Sequence, residues 1–209
     1  MGILYCSKAR VGSVGGRLEL SKALKIQGMM LEPELAWLAE QASTRKLIAE
    51  VGSWKGRGTR ALGDNQPEGG IIYAVDTWRG TPSLTATAAE IELYEKELGD
   101  KPYWWLFRKF IANTNGLRVT PVLMPSIDAA KCFAEIGKRF DMIFLDAAHD
   151  YESVKADILA WRPLLAEGGL FCGHDYHDYK SRFPGVDRAV DESVSNVHAL
   201  GVGSIWWEG

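Results

Sequence analysis

The sequence has few cysteines and no basic stripe. Cys6, Cys132 and Cys172 are odd in number and far apart, and no CxxC pair occurs. This disfavours a disulfide framework and a zinc site, and it favours a reducing compartment. Lys and Arg total 24 against 27 Asp and Glu, for a net charge of −3, and the basic residues are scattered. We therefore expect no nucleic-acid partner.

Long apolar runs are also missing. No segment approaches the length of a membrane span, and the N-terminus has no hydrophobic stretch with a small-residue cleavage site. We expect a cytoplasmic protein that does not bind membranes and acts on a small molecule. The 209 residues suffice for one substantial domain, predicted over residues 29–209, with an N-terminal arm over residues 1–28.

What the sequence does contain is a regular alternation of short apolar runs and helical periods. The runs are apolar throughout, as strands buried on both faces require: Lys46–Val51, Ile71–Val75, Leu117–Leu123, Asp141–Leu145 and Leu170–Gly173. Between them, a helix is indicated from Pro33 onward. Two further helical faces are Val154, Ile158, Trp161 and Leu165, ended by Gly168-Gly169, and Val186, Val190, Val194 and Val197. This predicts an α/β fold with a doubly wound, mostly parallel sheet, Rossmann-like, whose ligands bind at the carboxyl ends of the strands.

Residues 82–116 form an insertion too long for a simple crossover. Ile91, Tyr94 and Leu98 share a helical face, and the aromatic block Tyr103–Phe107 follows. An insertion of this length is more often a cap than a bare loop, so we predict a helical, aromatic cap here.

Glycines cluster where the first predicted strand turns into a helix. Glu50, Gly52 and Gly56 lie at this turn, and glycine lets the backbone approach a ligand closely. Asp76 ends the second strand, where a carboxylate can accept hydrogen bonds from both hydroxyls of a ribose. The dinucleotide fingerprint GxGxxG is not met, because Trp54 stands two residues after Gly52. This argues against a nicotinamide cofactor.

The spacing Glu50-x-Gly52-x-x-x-Gly56 resembles motif I of class I S-adenosylmethionine-dependent methyltransferases. The resemblance implies S-adenosylmethionine as cofactor and a sheet that ends in a reversed strand, for which residues 197–207 would serve. It implies cofactor contacts from Glu50, Gly52, Ser53, Gly56, Asp76, Thr77, Trp78, Ser126, Ile127 and Asp146. Trp78 reads equally well as core, and Ser126 as a helix N-cap. Relatives often carry Ser at the position of Gly58, so a hydroxyl contact is lost there or moves to Thr59.

Acidic and histidine side chains follow the fourth and fifth predicted strands, as Asp146, His149, His174 and Asp175. Two converging carboxylates repel each other unless a cation or a shared proton relieves them, and oxygen ligands suit Mg²⁺ or Mn²⁺. The segments Phe144–Tyr151, Gly168–Tyr176 and Phe183–Val186 resemble the macrocin O-methyltransferase-like group, relatives of catechol O-methyltransferase. The resemblance implies a divalent metal at Asp146 and Asp175, with His174 where the group has a carboxylate, and His149 as general base. Asp150 and Asp157 are predicted to be solvated or to cap helices.

These features predict a Mg²⁺-assisted O-methyltransferase that acts on a sugar-like or catechol-like hydroxyl, with Asp146 and His149 catalytic. One alternative is a methyltransferase without metal, in which His149 alone serves as base. Another is a cofactor-binding module without catalysis, whose 82–116 insertion is a partner surface. Small enzymes of this type often pair, so a homo-oligomer is compatible with every one of these hypotheses.

Overall fold

The computed structural model describes residues 17–80, 104–177 and 183–209. Cys6, Tyr103 and the predicted helix through Ile91, Tyr94 and Leu98 lie outside the described residues. Within these ranges, no helix is long and apolar enough to cross a membrane.

Strands and helices alternate along the described chain. The strands are β1 Leu47–Val51, β2 Ile71–Asp76, β3 Val119–Leu123, β4 Phe140–Leu145, β5 Leu165–Gly173, β6 Val197–Ala199 and β7 Trp206–Glu208. The α-helices are α1 Glu32–Ala42, α2 Arg57–Gly63, α3 Trp104–Asn113, α4 Ser126–Glu135, α5 Tyr151–Trp161 and α6 Pro184–Ser193. Short 3₁₀ helices span Ala23–Lys25 and Arg162–Leu164.

The strands form a seven-stranded sheet in the order β3-β2-β1-β4-β5-β7-β6. The first five strands pair in parallel, and β7 pairs antiparallel with both β5 and β6. Apolar clusters cover both faces, one built around Trp161 and Phe171 and the other around Leu35 and Ile48. Burial on two faces is why the strands read as continuous apolar runs. The predicted α/β fold with a doubly wound, mostly parallel sheet is confirmed.

The strand register fixes where the functional residues lie. Val51 at the end of β1 pairs with Val75 of β2 and with Leu145 of β4, and Leu145 pairs with Gly173 of β5. The residues that follow these positions are Gly52, Asp76, Asp146 and His174. All of them therefore emerge at one edge of the sheet.

The end of α5 differs from the prediction. The helix stops at Trp161 and a 3₁₀ turn follows, because Pro163 lacks the N–H that a continued α-helix needs. Leu165 then begins β5, five residues before the predicted start at Leu170. Gly168-Gly169 accordingly lies inside this strand instead of ending the helix.

The C-terminal segment also differs. The helix predicted through Val186 and Val190 ends at Ser193, and Val194 is already extended. Val197 begins β6. The predicted reversed strand over 197–207 is a pair of short antiparallel strands, with Gly203 at a φ of +98° in the connection between them. The valine spacing suits a helix, but tertiary pairing with β7 overrides it.

Candidate active site

A cavity of about 800 Å³ opens at the carboxyl ends of the strands. It is lined by residues that follow β1, β2, β3, β4 and β5, so these strand ends share one cleft as the sequence predicts. The predicted site residues on its wall are Glu50, Gly52, Ser53, Asp76, Thr77, Ser126, Ile127, Asp146, His149, His174 and Asp175. Gly56 and Trp78 do not line it.

The turn after β1 needs glycine for two reasons. Gly52 has a φ of +96°, which side-chain-bearing residues rarely adopt, and a Cβ there would overlap the main-chain oxygen of Asp146. The close approach comes from the sheet, since the Asp146 N–H donates to Val51 at 2.7 Å and the Gly52 N–H donates to Val75 at 2.8 Å. Gly56, at a φ of +83°, is the N-cap of α2. The two glycines therefore shape the turn, and Gly52 reaches the cavity.

Glu50 is a buried carboxyl group at the floor of the cleft. Its side chain accepts a hydrogen bond from the Thr59 hydroxyl, and a Cβ at Gly58 would meet its Oε1. Burial, together with the nearby charges of Asp146 and Asp76, raises the pKa of Glu50 to about 7. A cation placed near Glu50 would therefore stabilise the ionised form of this carboxyl.

The raised pKa of Glu50 predicts how stability depends on pH. Between the usual value of 4.5 and about 7, the folded state holds a proton that the unfolded state has released, so stability falls as pH rises through this window. Glu50→Gln removes the loss. We expect the free energy of unfolding of Glu50→Gln, compared with that of the native chain, to increase by about 3 kcal/mol from pH 4.5 to pH 8.

Denaturant unfolding at pH 4.5 and pH 8 measures this change in the absence of ligands. Glu135→Gln, on an exposed face of α4, is the matched control and should show no such difference. A Glu50→Gln effect that is equal at both pH values would contradict the assignment.

Asp76 organises the loops that follow β1 and β2. Its Oδ2 accepts the Trp54 N–H at 2.7 Å, and its Oδ1 accepts the Trp78 N–H at 2.6 Å. Burial raises its pKa despite these hydrogen bonds. The Trp78 ring does not line the cavity and is buried against Phe107 and Phe110 of α3, with centroid distances of 4.9 and 4.8 Å. Trp78 is thus core, one of the two alternatives that the sequence left open.

Ser126 connects the cavity wall to α5. Pro125, and not Ser126, is the N-cap of α4, so the N-cap alternative is wrong. The Ser126 hydroxyl donates to Asp157 at 2.5 Å and accepts from the Trp161 indole at 2.8 Å. Asp157 is buried and lines the cavity, contrary to the prediction of a solvated or capping group, and burial raises its pKa to about 6. Asp150 does cap α5, through the Ser153 N–H at 3.0 Å.

Acidic and imidazole groups converge after β4 and β5. Donor atoms of Asp146, His149 and Asp175 all lie within 4.8 Å of one another, close enough to hold a metal ion. His149 Nε2 lies 2.9 Å from Asp175 Oδ2, and its ring stacks on Phe183 at 4.3 Å. Burial and the Asp175 charge raise the pKa of Asp146, although the adjacent histidines oppose the shift. Asp175 is buried as well, but hydrogen bonds from His149 and His174 hold its pKa below the usual range.

His174 lies behind this cluster and contacts carboxylates through both ring nitrogens. Nδ1 lies 3.3 Å from Asp175 and 3.6 Å from Asp146, and Nε2 lies 2.9 Å from Glu34 of α1. Burial lowers the pKa of His174, but attraction to Asp146 and hydrogen bonds to the carboxylates outweigh burial and raise it well above the usual value. Sequence reasoning missed Glu34, because it belongs to an amphipathic helix and carries no motif.

The fold and the cleft define a Rossmann-like α/β protein with a ligand-sized cavity at the carboxyl ends of its parallel strands. Residues 49–176 match the family model described as a methyltransferase domain. The chain belongs to this family and is a class I S-adenosylmethionine-dependent methyltransferase. No curated protein matches the sequence.

Solved structures support the fold. CalS11, a TDP-rhamnose 3'-O-methyltransferase of calicheamicin biosynthesis, is 20% identical over 83% of this chain and 76% of that one, with a TM-score of 0.54. An O-methyltransferase from Bacillus cereus in complex with SAH is 16% identical, with coverages of 98% and 92% and a TM-score of 0.55. The SAH-bound methyltransferase PaMTH1 from Podospora anserina is 15% identical, with coverages of 86% and 78% and a TM-score of 0.56.

Proposed function

We propose that this methyltransferase methylates a hydroxyl group of a small molecule with the help of a divalent cation. The observation that supports this most directly is the meeting of Asp146, His149 and Asp175 at the wall of the cofactor cavity, with donor atoms within 4.8 Å of one another. S-adenosylmethionine supplies the methyl group on its sulfonium. The protein must bind the cofactor, align the acceptor and remove one proton from the acceptor hydroxyl.

Cofactor binding is assigned to the residues after β1, β2 and β3. The buried Glu50 carboxyl and the turn at Gly52 face the cofactor's amino-acid end, where an ammonium group would favour the ionised form of Glu50. Asp76 would accept hydrogen bonds from the ribose hydroxyls, since backbone N–H groups already orient its two oxygens. Ser126 and Ile127 contact the adenine, and Asp157 holds the Ser126 hydroxyl in place.

We expect Asp76→Ala to weaken S-adenosylhomocysteine binding roughly 10- to 100-fold, because hydrogen bonds to a charged acceptor contribute about 1.5–3 kcal/mol. Isothermal titration calorimetry measures the affinity, and circular dichroism checks that the variant is folded. Asp128→Ala, an exposed aspartate on α4, is the matched control and should bind like the native chain. Equal affinity in Asp76→Ala would contradict the ribose assignment.

The donor set fits a divalent ion. Asp146 and Asp175 offer carboxylate oxygens, which suit Mg²⁺ and Mn²⁺, and the histidines add nitrogen, which Mn²⁺ accepts more readily. The residues that would hold the ion are Asp146, Asp175 and one of the two adjacent imidazoles. A bound divalent ion would act as a Lewis acid that lowers the pKa of the acceptor hydroxyl.

The base is His149 in this proposal. Its ring is fixed by the hydrogen bond to Asp175 and by stacking on Phe183, the kind of orientation that a general base needs. When bound, S-adenosylmethionine would supply its methyl carbon to the acceptor oxygen and would leave as S-adenosylhomocysteine, which keeps the electron pair of the broken S–C bond. His149 takes the hydroxyl proton, and Asp175 stabilises the resulting imidazolium.

The acceptor is proposed to be a sugar-like or catechol-like hydroxyl compound. CalS11, which shares the fold, is a TDP-rhamnose 3'-O-methyltransferase, and this favours a sugar. The cavity also includes the apolar side chains of Met29, Met30 and Phe183, which suit a ring face. A screen of nucleotide sugars, free sugars and catechols for S-adenosylhomocysteine release, with and without Mg²⁺ or Mn²⁺, tests the proposal. Methyl transfer to nitrogen or carbon acceptors alone would refute it.

A second candidate is methyl transfer without metal, favoured by the 2.9 Å contact between His149 and Asp175. Such a carboxylate–imidazole pair is sufficient to orient a base. Activity that survives extensive chelation with EDTA, together with no Mg²⁺ or Mn²⁺ heat in calorimetry, would select this candidate. Binding of S-adenosylmethionine without turnover of any acceptor would instead favour the non-catalytic module.

A further inference from the structure

We infer that Glu34 is a positioning residue that holds His174 as a nitrogen ligand of the divalent-ion site, an inference that rests on the metal-assisted function proposed above. It assigns the metal nitrogen to His174 and leaves His149 available as the base. The supporting features are the contacts of Glu34, the resulting orientation of the His174 ring, and the positions of the two aspartates in front of it.

Glu34 is held firmly although it lies on a helix that has no other part in the chemistry. The residue is 2% exposed. Its Oε2 accepts the Leu31 N–H at 2.6 Å, and its Oε1 accepts the Ser204 N–H at 2.7 Å and contacts His174 Nε2 at 2.9 Å. A buried carboxylate with this many donors is a rigid acceptor.

The loop that contains Gly203 packs tightly against the Glu34 side chain. Gly203 has a φ of +98°, and a Cβ at this position would overlap the Glu34 carboxylate. The loop before β7 therefore closes over Glu34 through a residue that must lack a side chain. Helix α1, this loop and the end of β5 meet at one carboxylate.

The Glu34 contact determines which way the His174 ring faces. Since Nε2 donates to Glu34, Nδ1 points to the opposite side, where it lies 3.3 Å from Asp175 Oδ2 and 3.6 Å from Asp146 Oδ1. Donor atoms that share an ion bound at about 2.1 Å lie roughly 3 Å apart, so the spacing suits common ligation. Nδ1 can release its proton to solvent and bind an ion while the Nε2 hydrogen bond stays in place.

This arrangement matches a general property of metal-binding histidines. They almost always donate the second ring N–H to a carboxylate or carbonyl, which fixes the ring and raises its basicity, and loss of that partner weakens metal affinity about 10- to 100-fold. In this chain, the pair Glu34–His174 supplies a carboxylate-supported imidazole beside Asp146 and Asp175.

The test measures Mn²⁺ affinity by calorimetry with S-adenosylhomocysteine present, for the native chain, Glu34→Gln, His174→Ala and the double variant. We expect Glu34→Gln to bind Mn²⁺ 10- to 100-fold more weakly. The double variant should bind no more weakly than His174→Ala, because Glu34 acts through His174. Glu32→Gln, an exposed glutamate on the same helix, is the matched control and should bind Mn²⁺ like the native chain.

A second readout identifies the nitrogen directly. In the His149→Ala background, the electron spin echo of bound Mn²⁺ should retain modulation from a nitrogen ligand, and His174→Ala should abolish it. Glu34→Asp replaces Glu34→Gln if the latter does not fold. The shorter side chain withdraws the carboxylate from Nε2 but keeps its charge, so this variant should also bind Mn²⁺ more weakly.

Native-like Mn²⁺ affinity in both Glu34 variants, or an equal loss with and without His174, would overturn the inference and leave the proposed function intact. Absence of Mn²⁺ and Mg²⁺ binding by the native chain would overturn both the metal-assisted function and this inference. S-adenosylhomocysteine affinity, measured in parallel, shows whether the cofactor site of each variant is preserved.

Discussion

Replacing His149 by alanine is expected to lower methyl-transfer turnover by ~10²- to 10⁴-fold, the usual contribution of a positioned general base. S-adenosylhomocysteine affinity should stay nearly unchanged, because the cofactor is assigned to residues after β1, β2 and β3. Stopped or continuous assays of S-adenosylhomocysteine release measure turnover once an acceptor has been found. The reduction should appear in kcat, since the base acts in the transition state.

The matched control is His198→Ala, at an exposed histidine on β6 outside the cavity wall, which should retain native turnover. Exogenous imidazole should restore part of the activity of His149→Ala, because it can enter the vacated space and accept the proton. Native turnover in His149→Ala, measured with saturating acceptor, would rule out His149 as the base.

Gly52→Ala is expected to destabilise the protein by roughly 2–4 kcal/mol and to abolish measurable cofactor binding. Part of the loss comes from the left-handed backbone at a φ of +96°, and the larger part comes from overlap of the new Cβ with the main-chain oxygen of Asp146. Relief of the overlap must move the end of β1 away from β4, which widens the cofactor turn. Denaturant unfolding measures stability, and calorimetry measures S-adenosylhomocysteine binding.

Gly116→Ala separates the two causes. Gly116 has a φ of +82°, but nothing lies within 4 Å of a Cβ at this position. It should lose only the smaller, conformational part of the stability, about 1–2 kcal/mol, and keep native cofactor affinity. Equal destabilisation of the two variants, or cofactor binding that survives in Gly52→Ala, would contradict the role assigned to the close approach of Gly52 and Asp146.

Much of the site could be predicted because parallel strands put their carboxyl ends at one edge. Asp76 and Asp146 are distant in sequence, yet each directly follows a recognisable apolar strand, and the aligned register of β1, β2 and β4 brings them together. The same reasoning placed Asp146 and Asp175 at one edge of the crevice, and their donor atoms lie within 4.8 Å of each other.

Sequence patterns predicted local structure least reliably where a proline or a tertiary contact overrides the local preference. Pro163 ends α5 inside an apolar period that continues to Leu165. Val194 and Val197 continue the valine spacing of α6, but the helix ends at Ser193 and Val197 pairs with Glu208 of β7. Serine is a residue type that often caps helices, but the Ser126 hydroxyl instead donates to the buried carboxylate of Asp157, a charged acceptor that forms a stronger hydrogen bond than a neutral one.

The sequence by itself determined the α/β order of elements, the glycine turn at Gly52 and the residues that follow each strand, because these features are encoded by neighbours along the chain. Only the tertiary structure decided that Glu34 and Ser204 close around His174. These residues come from a helix and a loop whose periodicity and composition are ordinary. Their contacts arise from packing between segments as much as 170 residues apart, which no local pattern records.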